Sequence, residues 1–258
     1  MEGAQQNDSQ KMQDLKKYVF FGKILPERTN VSIFPLGIGI DFPDSNIKGT
    51  IKFSVQLSQI YAEFISEKEV DNIATLKNYI EKAIRAPIDT LGYVLGCGYD
   101  VEITSVITDS GNQIVWGVGI SDNIEEFKKK RPKDFPEIVK LYSDKNGQYL
   151  QRCFSNLREA IRNSEDAGFF CYRGIESLAQ FFADKHNLDK EKQKKEVWTK
   201  FRESLGIQRD KIDFIQKFSD PVRHGDTVYI SSENMKIILE TTWEIVDKYI
   251  VFAGNGYK

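Results

Sequence analysis

Along the first half of the chain, hydrophobic residues gather in short runs separated by turn-forming residues, and one of these runs alternates with polar residues as a half-buried strand does. Residues 18–25 are rich in β-branched and aromatic side chains and stop at Pro26, and segments 31–34 and 37–42 have the same composition. Two further strands, 101–108 and 113–120, are joined by turn-forming residues and predict a hairpin. In the run 47–65, the first half carries apolar residues at every second position, which predicts a half-buried strand: Ile51, Phe53, Val55 and Leu57.

One long helix is predicted among these strands, over residues 71–95. Asp71 is the expected N-cap, and Pro87 is expected to interrupt the helix and begin a second helical piece. Apolar residues recur there at helical spacing: Ile73, Leu76, Ile80 and Ile84. The first half of the chain therefore predicts a mixed domain of five or six strands and one long helix.

After Gly147 the apolar period becomes helical. Five amphipathic stripes follow one another with short turns between them, over 150–161, 171–182, 197–205, 212–218 and 235–250. Gly206 is a natural residue to end the third helix, and Pro221 is expected to end the fourth because it disfavours helical geometry at Asp220. Five such helices predict a helical bundle.

The predicted fold class is α+β, with an N-terminal mixed sheet-plus-helix domain followed by an all-α bundle. The expected divisions are a disordered N-terminus over 1–16, the α+β domain over 17–122, a linker over 123–147 and the bundle over 148–258. The linker assignment rests on the charged run 128–133, which contains Pro132, and on the turn residues 143–147. The charged run favours a solvated segment over a contact with an anionic partner.

The amino-acid composition and charge of the chain limit the classes of function that it can have. The chain has 258 residues, 40% hydrophobic and 29% charged, as expected of a globular protein with a substantial core. Residues 1–147 hold 18 Lys+Arg against 21 Asp+Glu, and residues 148–258 hold 18 against 17. This balance argues against broad nonspecific binding of DNA or RNA, although a local phosphate site is compatible with it.

Further classes are excluded by what the sequence lacks. No apolar run approaches the roughly 20 residues of a membrane span, so no membrane partner is expected. Three cysteines form no disulfide framework, which predicts a reducing cytoplasm. Cysteine and histidine show no metal-ligand spacing, and no cofactor is predicted. Gly37-Ile38-Gly39 lacks the third glycine of a dinucleotide fingerprint and reads as strand punctuation, while His186 reads as a helix-end residue.

The segment 220–226, Asp-Pro-Val-Arg-His-Gly-Asp, is the first candidate site. His224 is one of two histidines, and histidine is the side chain best suited to proton transfer near neutral pH. Arg223 beside it suits the stabilisation of an anionic phosphate. A structural interpretation competes with this one: Arg223 would pair with Asp220 or Asp226, and His224 would cap a helix.

A second polar cluster is predicted on the second bundle helix. Arg173 and Glu176 are three residues apart and so share a helical face beside the apolar stripe. They could complete a site with Arg223 and His224, supported by Asp220. The competing interpretation is an ion pair that fixes helix packing. A third hypothesis is that the N-terminal domain binds a ligand, although no motif in its sequence indicates which ligand.

Four features of residues 148–252 occur together: Tyr172-Arg173-Gly174-Ile175-Glu176, then Trp198, Phe201 and Leu205-Gly206, then Arg223-His224-Gly225, and a long closing helix. In these features the segment resembles the HEPN superfamily. It implies a helical bundle that forms a homodimer and is associated with RNA or nucleotides in prokaryotic defence or toxin-type systems. Catalytic members cut RNA without a metal through an Arg-x4–6-His motif, whose histidine maps to His224.

The chain departs from that motif, because positions 217–219 hold Lys217, Phe218 and Ser219 and the arginine stands next to the histidine. Two functions are therefore expected from the resemblance. The first is a metal-independent, RNA-cleaving effector that uses Arg223 and His224. The alternative is a noncatalytic module that binds a nucleotide or a partner, or that dimerises.

Overall fold

The computed structural model describes residues 15–117, 131–189 and 191–258. The chain divides into two compact units, Met1–Gly119 and Ile120–Lys258. In the described residues the first unit is an antiparallel sheet with one long helix, and the second unit is helical. The predicted α+β class, with a helical C-terminal region, is confirmed.

The first unit is built on a six-stranded antiparallel sheet. The strands span β1 Lys16–Leu25, β2 Ile33–Phe42, β3 Ile47–Gln56, β4 Gln59–Ser66, β5 Asp100–Ile107 and β6 Gln113–Val115. They lie in the order β2-β3-β4-β1-β5-β6, so β1 is central and pairs with β4 on one side and β5 on the other. Alternate residues of β1 are buried, among them Tyr18, Phe20 and Ile24.

The run 47–65 forms two strands, and Leu57, which the alternation placed in the first of them, lies in the turn between them. Leu57 and Ser58 have φ of 50° and 63° and form the tight turn of a hairpin between β3 and β4. Such turns are usually marked by Asn or Gly, so neither residue signals one. Buried Ser58 is held by its side chain, whose Oγ donates to the Thr29 carbonyl at 2.9 Å and accepts from the Val31 N–H at 3.0 Å.

Helix α1, Ile73–Leu95, packs on the sheet as one continuous element. Its N-cap is Asn72, which accepts from the Thr75 N–H at 2.9 Å, so the predicted cap at Asp71 is wrong by one residue. Pro87 lies inside the helix and does not divide it. The buried stripe continues past it from Ile84 to Ile88, and burial of this face outweighs the hydrogen bond that proline removes.

The helices of the second unit span α2 Phe135–Lys140, α3 Gly147–Arg162, α4 Ala167–Lys185, α5 Lys194–Leu205, α6 Arg209–Arg223 and α7 Ser232–Gly254. They are arranged around α4, whose buried face includes Ile175, Leu178 and Phe182. The close contact of α4 with α6 depends on Gly168, where an added Cβ would lie 2.6 Å from the Cβ of Phe218. The described residues of this unit therefore contain the five predicted helices and one more.

The additional helix, α2, lies within the segment 123–147 that was predicted as a linker. Asp134 caps it through a reciprocal pair of hydrogen bonds with Glu137, and Ile138 packs against the helical core. Arg131 donates to Asp247 of α7 at 2.9 Å, so this part of the charged run is docked. Strand β1 likewise begins inside the predicted disordered segment 1–16. Residues 1–14 and 123–130 of those two predictions, and residues 118–120 of the predicted strand 113–120, lie outside the described residues.

Candidate functional site at the end of helix α6

Helix α6 continues through Pro221 and ends at Arg223, so the predicted helix exit before Pro221 is wrong. The helix is ended by Gly225, whose φ of 90° suits glycine. Its N–H donates to the Val222 carbonyl at 3.1 Å, and the Asp226 N–H donates to the Pro221 carbonyl at 3.0 Å. These two hydrogen bonds are those of a Schellman motif, which satisfies carbonyls in the last turn.

His224 is the C-cap residue of α6, with an exposed side chain. Its backbone N–H donates to the carbonyls of Pro221 at 3.0 Å and Asp220 at 3.3 Å. The histidine therefore stands directly at a helix end, not in an open bend between helices. An exposed imidazole at this position can exchange a proton with a bound molecule.

Arg223 joins the two predicted polar clusters. Its Nη2 donates to Oε2 of Glu176 on α4 at 2.9 Å, and its guanidinium lies 5.8 Å from the centre of the Tyr172 ring. The side chains of Arg223 and Glu176 are 37% and 29% exposed, so the pair lies at the surface of the unit. Arg223 thus pairs with neither predicted partner, and Asp220 instead accepts from Nε2 of Gln216 at 3.0 Å.

The ring of Tyr172 lies beneath the Arg223 guanidinium of this ion pair. The sequence pattern did not identify Tyr172 as a site residue. Its side chain is buried and stacks against Trp198, with ring centres 5.8 Å apart. Burial raises the pKa of Tyr172 above its usual value, and the charges of Glu176 and Asp220 raise it further. The phenol is therefore neutral where Arg223 crosses its ring. Aromatic residues in an amphipathic helix read as core, so periodicity alone did not reveal this contact.

Arg173 and Glu176 lie on one side of α4, as their spacing predicts, and both line an open groove. The guanidinium of Arg173 lies 5.2 Å from the centre of the Phe169 ring and 5.9 Å from that of Phe170. His224 and Asp220 are not among the residues that line the groove. The structure therefore pairs Glu176 with Arg223 and places Glu176 and Arg173 in the wall of one groove, but it does not gather all five predicted residues into one cleft.

The three positions that would hold the motif arginine are filled by residues with other environments. Phe218 and Ser219 are buried, and Lys217 places its Nζ 5.9 Å from the centre of the Phe218 ring. Positions 217–219 of α6 thus supply no guanidinium. Arg223 is the arginine beside this histidine, and the carboxylate of Glu176 compensates its charge.

The described residues contain no group of three or more His, Cys, Asp or Glu side chains that could hold a metal ion. His186 is the C-cap residue of α4, and Gly37 and Gly39 lie inside strand β2. Nor does any helix of the described segments have the length and hydrophobicity to cross a bilayer.

Comparisons with known proteins divide the chain at the same place as its structure. Residues 18–116 match the N-terminal domain of a domain of unknown function, DUF8168, and residues 135–254 match its C-terminal domain. Neither description states an activity or a ligand. No curated protein and no solved structure matches the chain.

Proposed function

We propose that the helical unit is a noncatalytic HEPN-like module that associates with a second copy of itself and does not cleave RNA. The observation that supports this proposal is the ion pair between Arg223 and Glu176. An arginine that stabilises a transferred phosphoryl group must offer an uncompensated charge at the reacting phosphate. The charge of Arg223 is already compensated by a carboxylate of the same unit, and positions 217–219 supply no other arginine.

Association through the bundle is the expectation that accompanies the resemblance. A twofold pairing would bring the same surface of two copies together. Size-exclusion chromatography with light scattering tests it directly, and the expected mass is twice the 29.7 kDa of one chain. A monomer at micromolar concentration would overturn the association.

The second candidate is a metal-independent endoribonuclease in a defence or toxin-type system. It is favoured by the exposed imidazole of His224 beside the partly exposed guanidinium of Arg223. In this reaction the ribose 2′-oxygen attacks the adjacent phosphorus, the 5′-oxygen leaves, and a 2′,3′-cyclic phosphate remains. His224 would transfer the proton of the attacking 2′-hydroxyl to the leaving 5′-oxygen. Arg223 would stabilise the charge that develops on the phosphate oxygens.

One assay separates the two candidates, with His186→Ala as the matched control because His186 also caps the C-terminus of a helix. Purified wild-type protein, His224→Ala and His186→Ala are incubated with a labelled single-stranded RNA and EDTA. The noncatalytic proposal expects no cleavage above the blank for any of them. Cleavage by the wild type and His186→Ala that falls at least a hundredfold in His224→Ala would establish the nuclease instead.

A further inference from the structure

An open groove of about 480 Å³ is lined by helices α3 and α4. Sites for small molecules enclose about 300–1,000 Å³, so this groove is large enough to hold one. Its walls are more polar than those of most such sites, which indicates a polar occupant. The side chains that the argument uses are Gln148, Arg152, Arg173, Glu176, Ser177 and Gln180.

Two arginines of the groove have no acidic partner within the described part of the chain. Among the residues that the structure describes, no carboxylate lies at ion-pair distance from Arg152 or from Arg173. Arg152 is exposed, and Arg173 is half-buried. Since a guanidinium remains charged at any physiological pH, the groove presents two forks of N–H donors that are available to an anion.

The acidic residues of the groove already have partners. Glu176 accepts from Arg223 at 2.9 Å. Asp184 accepts from the Tyr149 hydroxyl on one oxygen and from Nε2 of Gln180, at 3.1 Å, on the other. The pair of Arg223 and Glu176 is neutral. The charged side chains that remain in the groove are the two arginines, which are positive, and Asp184, which is negative, so the groove carries a net positive charge.

The two arginines lie on adjacent packed helices, and one of them is held in place. The guanidinium of Arg173 contacts the rings of Phe169 and Phe170, which restrict the conformations open to it. A donor that is positioned before binding loses less side-chain entropy when a ligand arrives. This arrangement is therefore more typical of an arginine that binds an anion than of a solvated surface arginine.

We propose that this groove binds the phosphate group of a small, hydroxyl-bearing phosphomonoester through Arg152 and Arg173. A phosphomonoester carries about −1.5 to −2 charges at pH 7 and three acceptor oxygens, enough for two guanidinium forks. A monocarboxylate would leave one arginine uncompensated. The amides of Gln148 and Gln180 suit the hydroxyl groups of the organic part, and the Ser177 oxygen, whose proton is donated to the Arg173 carbonyl at 2.8 Å, can accept from one of them.

The proposal goes beyond the function proposed above because His224 takes no part in it. The full-length protein is titrated calorimetrically at low salt with ribose 5-phosphate, adenosine monophosphate and inorganic phosphate. Ribose, adenosine and succinate are the matched controls. We expect at least one phosphomonoester to bind at submillimolar concentration and the three controls to bind at least tenfold more weakly.

Four variants locate the binding. Arg152→Ala and Arg173→Gln should each weaken phosphomonoester binding at least tenfold, and Arg152→Ala alone decides the test if the other variant folds poorly. Arg158→Ala should bind as the wild type does, because this arginine of the same helix is bonded to Ser155 and Glu159. His224→Ala should also bind normally.

Three results would overturn the proposal: no phosphomonoester binding at millimolar concentration, unchanged binding by Arg152→Ala, or equally tight binding of succinate. Loss of binding in His224→Ala would move the ligand to the end of α6 and would also contradict it. None of these results bears on whether the protein cleaves RNA, so the two proposals fail separately.

Discussion

Arg223 and Glu176 are 47 positions apart in the sequence, and a 2.9 Å hydrogen bond between Nη2 and Oε2 joins them across helices α6 and α4. The bond ties the last turn of α6, where His224 is the cap, to the helix at the centre of the bundle. The same carboxylate borders the proposed phosphate groove. Glu176 is therefore the residue that connects the two candidate sites.

This pair should contribute measurably to stability. In a double-mutant cycle of Arg223→Ala and Glu176→Ala, we expect a coupling of about 0.5–1 kcal/mol, near the upper end for exposed pairs because both side chains are about two-thirds buried. Urea unfolding in low salt measures it. The more exposed pair Arg209–Asp213 is the control and should couple more weakly. Equal coupling in the two cycles would contradict the structural role given to Arg223.

Gly225 should be needed to end helix α6. Its φ of 90° is unfavourable for alanine, so Gly225→Ala should destabilise the protein by about 1 kcal/mol. Gly174→Ala is the control, because this glycine lies inside α4 and an added Cβ would meet its nearest neighbour, Sγ of Cys153, at 3.4 Å. There the change should be neutral or stabilising by up to about 1 kcal/mol. Equal free energies of unfolding for both variants would refute the Schellman assignment.

Alkaline pH should weaken the helical unit through Tyr149. Burial, and next the hydrogen bond to Asp184, raises the pKa of Tyr149 to about 12, whereas an unfolded tyrosine titrates near pH 10. The stability that the neutral phenol contributes is complete below pH 10 and is lost as the pH rises through about 12. Urea unfolding at pH 8–12 should therefore show a smaller loss for Tyr149→Phe than for the wild type.

The matched control for this titration is Tyr93→Phe, whose side chain is 88% exposed. It should follow the wild-type profile from pH 8 to pH 12. A Tyr149→Phe profile that coincided with the other two would show that the phenol is not held in its neutral form.

The cysteines should differ sharply in reactivity. Burial raises the pKa of Cys171 to about 12 and raises that of Cys153 further, so neither forms a reactive thiolate in the folded protein. Cys97 is exposed. A chromogenic disulfide reagent should label one thiol per native chain and three after unfolding. Cys97→Ser should abolish the native reaction, and labelling of a second thiol at a comparable rate would contradict the burial of this pair.

Much of the fold follows from local pattern. β-Branched and aromatic composition located β1, turn-forming residues located the hairpin at 109–112, and helical stripes located the five longer helices of the second unit. The boundaries failed where two local preferences compete. Pro87 and Pro221 were expected to end helices, yet burial of the surrounding stripe and a terminal Gly225 determine where those helices stop.

The candidate site could be predicted only in part. Spacing on one helix correctly placed Arg173 and Glu176 on a common face. The bond from Arg223 to Glu176 could not be predicted, because it depends on how α6 packs against α4. The position of Tyr172 under the guanidinium is likewise a tertiary contact, since the same residue reads as ordinary core in the sequence. No local sequence pattern predicts the order of the strands, in which β1 lies between β4 and β5.

The central position of β1 has a consequence for the order in which the chain matures on the ribosome. Lys16 to Leu25 find one partner strand at 59–66 and the other only at 100–107. The sheet therefore cannot close until the strand at 100–107 has left the exit tunnel, whereas neighbouring helices of the second unit can pair as they emerge. For that interval the edge of β1 that pairs with β5 presents unpaired backbone groups to other chains.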